Sequence, residues 1–331
     1  MKKIAVLLLG AAVLCGLAGC KRAGKAGEAG GAVESKKSSQ KLLKVGVIQL
    51  VEHAALDANY KGFVDGLAEA GYVNGQNIKI DYQNAQGEQA NCVTIAEKLI
   101  NDRSDLIFAI ATPAAQAVAN LTKKIPILVS SVTDPESAKL VLKNTNPGNN
   151  VSGTSDLTPC EKQIDLLRKI CPKAETVGML YSSNEQNSYF QIALAKAACD
   201  KLGLKYIDGT VSNSNEIQQV TQSLCGKVDV IYTPTDNMIA AGMSLVSQVA
   251  TENKIPTIVG EQGMVEAGGL ATYGINYYEL GKQTGAMAAL ILKGEKKPAD
   301  MPIQYMDPDK CELAINEETA KKLGITIPDS L

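Results

Sequence analysis

One histidine, His53, and three arginines, Arg22, Arg103 and Arg168, occur in this chain of 331 residues. A metal site built on several imidazoles is therefore excluded, and a Ser-His-Asp or Cys-His nucleophile would have to rest on His53 alone. With 33 basic against 35 acidic residues, and no basic run in the folded part, the electrostatic footprint of a nucleic-acid binder is missing. Glycine-rich phosphate fingerprints are absent too, which disfavours nucleotides. What remains is recognition by carboxylates, hydroxyls and amides. These gather in short segments: Leu50-Val51-Glu52-His53-Ala54, Thr112-Pro113-Ala114-Ala115 and Ser130-Ser131-Val132-Thr133-Asp134 in the first half. The second half supplies residues 182–188 with Asn187 and Ser188, then Thr235-Asp236-Asn237 and Glu261-Gln262-Gly263.

None of these segments holds Lys or Arg, so a polyanion is disfavoured, yet backbone N–H groups and a hydroxyl at 112–115 could hold one negative charge. Asp236 or Glu261 could face a positive one. Those two requirements together describe a zwitterionic amino acid. Asp134, Ser188 and Asp236 are equally ordinary N-cap types, and Glu52 with His53 could be a solvated loop. A chain with no Trp and 3 Phe is poorly equipped to stack sugar rings, although Tyr181, Tyr189 and Tyr232 lie nearby.

The elements that must position these segments are legible as β-branched runs alternating with helical patterns. Strands are expected at 43–49, 77–83, 105–111, 127–131 and 151–154, with helices at 57–70, 87–103 and 113–122. The second half repeats the scheme, with strands at 176–181, 205–209, 229–234, 257–260 and 271–275 and helices at 187–202, 213–225 and 238–252. This is an α/β pattern of parallel sheets with helices on both faces, and the length suits two lobes. Asp105-Leu-Ile-Phe-Ala-Ile-Ala-Thr-Pro, a helix and Lys124-Ile-Pro-Ile-Leu-Val align with Asp229-Val-Ile-Tyr-Thr-Pro-Thr-Asp, a helix and Lys254-Ile-Pro-Thr-Ile-Val. Two copies of one unit are the economical explanation. In such sheets ligands bind beyond the carboxyl ends of the strands, where all six segments fall.

Lys2 and Lys3 precede an apolar stretch at 4–14, long enough for an export signal and too short to span a bilayer. It ends in Leu17-Ala18-Gly19-Cys20, which resembles the bacterial lipobox and implies cleavage before Cys20 and lipid on its sulfur. Residues 21–40 are rich in Gly, Ala, Lys and Ser and read as a flexible tether of about 25 Å root-mean-square span. The expected location is outside the cytoplasm, anchored by lipid to the outer face of the cytoplasmic membrane or in the periplasm. Six cysteines remain beyond Cys20, and they could pair in fifteen ways or stay as buried thiols. If 158–170 is one helix, Cys160 and Cys171 lie about 16 Å apart, beyond the roughly 7 Å that a disulfide allows.

The lipobox, the opening Val45-Gly-Val-Ile-Gln-Leu-Val-Glu-His-Ala-Ala-Leu-Asp57, the turn Thr233-Pro-Thr-Asp-Asn237 and the segment Gly274-Ile-Asn-Tyr-Tyr-Glu-Leu-Gly281 resemble ABC-transporter substrate-binding lipoproteins of the tryptophan and tyrosine uptake type. The resemblance implies a type I periplasmic-binding-protein fold, with two Rossmann-like lobes joined by three crossings and closing over a ligand. It implies lobe one at 41–153, lobe two at 154–274, a return to lobe one at 275–297 and to lobe two at 298–331, with crossings near Gly153, Gly274 and Pro298. Glu52, His53, Thr112, Ala114, Ser131, Thr133 and Asp134 would line the cleft from lobe one. Tyr181, Asn187, Ser188, Asp236, Asn237 and Glu261 would face them, with Asp236 on the α-ammonium. Ser182-Ser183-Asn184 and Ala54 depart from the family pattern and leave the identity of the amino acid open. The implied partner is an ABC permease; no cofactor, nucleic acid or catalysis is expected, and nothing points beyond a monomer. The rival readings are a ligand sensor that signals to a membrane receptor, a receptor for another small polar solute, and an exported enzyme built on His53.

Overall fold

The computed structural model describes residues 42–307 and 310–331. The expected leader, Cys20 and the tether lie outside the described residues. The first sheet contains β1 (Leu43–Gln49), β2 (Ile78–Asn84), β3 (Leu106–Ile110), β4 (Ile127–Val132) and β5 (Val151–Ser155). The second contains β6 (Thr176–Ser182), β7 (Lys205–Val211), β8 (Val230–Thr233), β9 (Thr257–Val259) and β10 (Ala271–Gly274). Two short late strands, β11 (Gln304–Tyr305) and β12 (Glu312–Ile315), complete them. The strand orders are β11-β5-β4-β3-β1-β2 and β12-β10-β9-β8-β6-β7. Each lobe therefore has the same order reading inward from its second strand, and every pairing is parallel except β12 on β10.

The central strands are buried from end to end, β3, β4 and β8 included, which is why they read as unbroken apolar runs. The duplicated aspartates perform one structural task in both lobes. The Asp105 carboxylate accepts the Lys44 N–H at 2.7 Å, and the Asp229 carboxylate accepts those of Thr176 and Glu175, both at 2.9 Å. Each ties the start of the lobe's first strand to that of its third.

Differences from the expected boundaries cluster where periodicity is weak. β5 stays in the first sheet through Ser155, so the chain first crosses after it, at residues 156–159. The second crossing follows β10 at Ile275–Asn276. The third does not fall near Pro298. Residues 298–305 remain with lobe one, where Ser152 Oγ donates to Met301 O at 2.6 Å and β11 pairs with β5; the chain crosses after Tyr305. The single helix expected at 238–252 is two, Asn237–Ala241 and Met243–Glu252. They part at Gly242, where a Cβ would lie 2.6 Å from the Ile217 side chain.

Two helices lead out of the cleft into lobe one: Ala54–Glu69, immediately after His53, and Tyr277–Leu292, immediately after the second crossing. They press together at glycines spaced four residues apart on each. A Cβ at Gly62 would stand 2.0 Å from Tyr278 O, and one at Gly281 would stand 2.0 Å from Asn59 O. Backbone contact this close fixes the start of one helix against the other. It thereby sets His53 and Tyr277 together at the hinge side of the cleft, beside a small apolar cluster of Ala55, Ile275, Tyr277 and Leu280.

Candidate ligand-binding site

The lobes meet across their strand ends. Gln191 Nε2 donates to Thr133 Oγ1 at 3.0 Å and to Thr235 Oγ1 at 2.6 Å, and Gln89 Nε2 reaches Asn184 O at 3.1 Å. Gln116 donates to Gln186 at 3.0 Å, Gln186 donates to Ser137 O, and His53 Nε2 lies 3.3 Å from Asn237 Oδ1. Among the described residues, cavities of two sizes lie between the lobes. An outer one of about 710 Å³ is lined by Leu50, Val51 and Pro113 from lobe one and by Ile217, Asn237, Met238 and Leu245 from lobe two. An inner one of only about 10 Å³ lies among His53, Asp156, Thr235, Asp236, Asn237, Glu261 and Tyr277. Asn237 lines both.

Lobe one supplies buried atoms that nothing in the protein satisfies. Thr112 opens the helix Thr112–Leu121, with Pro113 in its first turn, so early N–H groups of that turn lack intrahelical partners. The Thr112 and Ser131 hydroxyls are buried and unpartnered. The backbone beside them is strained: Ala111 has φ 81° and Ser131 φ 53°, both in the region that side chains avoid. Ala114 is buried beside Thr112, and Thr133 is engaged by Gln191. Two expected lobe-one residues stand apart. Asp134 accepts Ser137 N–H at 2.6 Å and Asn144 Nδ2 at 2.7 Å, bracing its own loop, and Glu52 is exposed.

Lobe two supplies carboxylates, and these are already in use. Asp236 Oδ1 caps the helix Asn237–Ala241 through Ile239 N–H at 2.9 Å, while Oδ2 accepts Ser182 N–H and Ser188 Oγ, both at 2.6 Å. Asp236, expected to meet an ammonium, thus already accepts three hydrogen bonds from its own lobe. Glu261 caps the helix Gln262–Glu266 in the same way, through Gly263 and Met264 N–H groups. Glu185, not singled out from the sequence, accepts Met238 N–H at 3.1 Å and Asn187 Nδ2 at 3.0 Å, which ties 185–188 to the 235–238 turn. Asn187 keeps its Oδ1 unpartnered. Tyr181 does not reach the cleft; it belongs to the lobe-two core with Ile192 and Cys199, edge-on to Tyr189 at 5.4 Å.

Burial decides the protonation of the cleft. Desolvation pushes Glu185 up to about 8 and Glu261 up to about 7, and raises Asp236. It pushes Asp156 up to about 6 against the hydroxyls of Tyr277 and Thr133, and His53 down to about 4. The imidazole is therefore neutral at physiological pH. Its Nε2 faces the Asn237 side-chain amide at 3.3 Å. Among the described residues no cluster of His, Cys, Asp or Glu could hold a metal, no helix is long and apolar enough to cross a membrane, and Cys92, Cys160, Cys171, Cys199 and Cys225 are free thiols.

Besides Glu185, two residues of the cleft escaped sequence reasoning. Asp156 directly follows β5, and reading that strand's end as the other strand ends were read would have found it. Gln191 lies one turn beyond Asn187 on the same helix face.

Duplicated lobes with largely parallel sheets, facing each other across a polar cleft at their strand ends, define the type I periplasmic-binding class. Residues 44–331 match the model of the ABC transporter substrate binding protein family, and the chain belongs to it. It is 44% identical, over 88% of its length and 84% of the relative's, to a tyrosine-binding protein of Clostridioides difficile. Its structure resembles an ABC domain from Streptococcus pneumoniae in complex with L-Trp, with TM-score 0.84, 42% identity and coverage of 87% of this chain and 97% of that one. A ligand-free, open substrate-binding protein with adhesive properties from Clostridium difficile is 47% identical over 87% of this chain and 97% of its own, with TM-score 0.66.

Proposed function

We propose that this protein is the exported, lipid-anchored receptor of an ABC importer, and that it captures a zwitterionic aromatic L-amino acid by closing its lobes. The observation that carries the reading is the set of buried, unpartnered polar atoms at the cleft: Thr112 Oγ1, Ser131 Oγ, Asn187 Oδ1, Asp156 Oδ1 and His53 Nδ1. Each such atom costs about 1–3 kcal/mol in a ligand-free interior, so a site that keeps five of them is built for a guest. The relatives add the chemistry, one named for tyrosine and one complexed with L-Trp.

Lobe closure has its own support. The open, ligand-free relative is more identical to this chain than the L-Trp complex is, at 47% against 42%, yet superposes less well, at TM-score 0.66 against 0.84. Interlobe hydrogen bonds from Gln89, Gln116, Gln186 and Gln191 are the contacts that opening would break. Thr112 and Ala114 would hold the ligand carboxylate at their helix N-terminus. The outer cavity, within the usual size range of small-molecule sites, would take the side chain along Val51, Pro113, Met238 and Leu245.

The test is native mass spectrometry of the purified chain, followed by unfolding, stripping and refolding with each of the twenty L-amino acids. A retained mass of Trp, Tyr or Phe, restored by that compound alone, is the expected result. A retained sugar, nucleoside or peptide would defeat the ligand assignment.

A further inference from the structure

The buried cleft has an unbalanced inventory of charge. Asp156, Glu185, Asp236 and Glu261 are all buried, and no Lys or Arg is buried among the described residues. Three of these carboxylates serve N–H groups and hydroxyls of their own lobe. Asp156 differs. It is 4% exposed and lines the inner cavity, its Oδ2 accepts the Tyr277 hydroxyl at 2.9 Å, and its Oδ1 has no hydrogen-bond partner. The Thr133 hydroxyl also favours the charged form of Asp156.

His53 adds a second acceptor to the same cavity. Asn237 Nδ2 donates to Glu185, so Asn237 Oδ1 is the acceptor that faces His53 Nε2 at 3.3 Å. The proton of the neutral ring therefore sits on Nε2, and Nδ1 carries a lone pair with no partner. Two unpartnered buried acceptors without a donor call for a group that only donates. A metal ion is disfavoured, because no cluster of ligating side chains fit to hold one is present among the described residues. A protonated amine suits both acceptors.

We propose that Asp156, not Asp236, holds the cationic nitrogen of the ligand, in a subsite made where the first and second crossings between the lobes meet. Asp156 opens the first crossing and Tyr277 begins the helix that follows the second. An ammonium held there joins the ligand to both hinge strands as well as to the lobes. This assignment rests on the ligand class proposed above and goes beyond it by naming the atoms that select an amine.

The test uses the full chain, stripped and refolded, and calorimetric titration with L-tryptophan, L-tyrosine and L-phenylalanine. Each is paired with its amine-free counterpart: indole-3-propionate, 3-(4-hydroxyphenyl)propionate and 3-phenylpropionate. The wild type is expected to prefer the best amino acid over its counterpart by about 100-fold, and Asp156→Asn to erase that preference while leaving the counterpart's affinity within about twofold. Equal losses for both compounds, or an unchanged preference, would overturn the subsite. Should Asp156→Asn not fold, Tyr277→Phe, which removes only the hydroxyl that holds Asp156, is expected to weaken the amino acid selectively. An equal weakening of both compounds would count against the proposal.

If the wild type takes none of the three amino acids, the aromatic reading fails and the co-purified compound decides the subsite. An amine whose retention is lost in the variant upholds Asp156. A compound without a cationic nitrogen, or no binding of any amine among the twenty amino acids, overturns it.

Discussion

The two lobes are built alike and furnished differently. Both have the same strand order, and both use an aspartate, Asp105 or Asp229, to tie their first strand to their third. At the strand ends the likeness stops. Lobe one presents small residues on strained backbone, Ala111 and Ser131, with the Thr112 and Ser131 hydroxyls left open. Lobe two presents Glu185, Asp236 and Glu261, and binds them into its own turns. One duplicated frame thus supports two tasks, an open polar surface on one side and a pre-set brace of buried carboxyl groups on the other. The contrast says that changes in lobe two should be read out first in stability and changes in lobe one first in binding.

The largest effect is expected at the brace. Asp236→Ala leaves Ile239 N–H, Ser182 N–H and Ser188 Oγ without their acceptor in a buried site. The cost should be about 4 kcal/mol of stability, combining a lost cap with abandoned donors. Urea unfolding of the ligand-free protein checks it, and an Asp236→Ala variant as stable as wild type would end the brace reading. Next comes Gly281→Ala, which belongs to lobe one but carries no ligand atom. Its Cβ would meet Asn59 O at 2.0 Å, so the helices from Ala54 and Tyr277 must part, at a cost of about 3 kcal/mol. Because His53 and Tyr277 ride on those helices, binding should weaken along with stability, measured by melting and titration on one sample.

How much of this contrast was legible follows from what buries a residue. Strands β1, β3, β4, β6 and β8 were readable because parallel strands covered on both faces become continuous apolar runs. The third crossing was not, because β11 is two residues long and its pairing with β5 leaves no periodic trace. The loops of the cleft were readable from strand-end position alone. Whether a carboxylate there is free or spent was not, since Asp236 and Asp156 are the same residue type at similar places. Only the geometry shows that the first caps a helix, while the second keeps one oxygen open. Tyr181 was misplaced for a related reason: strand alternation, not proximity in sequence, turned it toward the core.

Acidity separates the lobes more gently. Glu185 is raised from its ordinary 4.5 to about 8 and Glu261 to about 7, so the folded protein binds protons there that the unfolded chain does not hold above pH 5. Their contribution is present at low pH and lost as pH rises through those values. His53 acts in the opposite sense. Lowered from 6.5 to about 4, it favours the fold above pH 6.5, and that contribution is lost as pH falls toward 4. The two trends offset each other below pH 6.5, leaving Glu185 to dominate above it. Acidifying the ligand-free protein from pH 8.5 to 6.5 should therefore raise its stability, by about 1–2 kcal/mol, and Glu185→Gln should flatten the rise. A stability that falls over that interval would mean that lobe two does not store its carboxylates in protonated form.

The smallest expected effect is the most discriminating, because it changes sign between states. Thr112→Val replaces a buried hydroxyl that has no partner with a methyl group of nearly the same shape. In the ligand-free protein nothing is lost and a desolvated dipole is removed, so melting should be unchanged or rise, by no more than about 0.5 kcal/mol in stability. If the hydroxyl holds the ligand carboxylate as proposed, its absence should weaken binding by about tenfold. A brace residue cannot behave this way, since its removal costs the free state first. If Thr112→Val destabilised the empty protein and left affinity untouched, lobe one would be a second brace, and the division of labour between the lobes would fall with it.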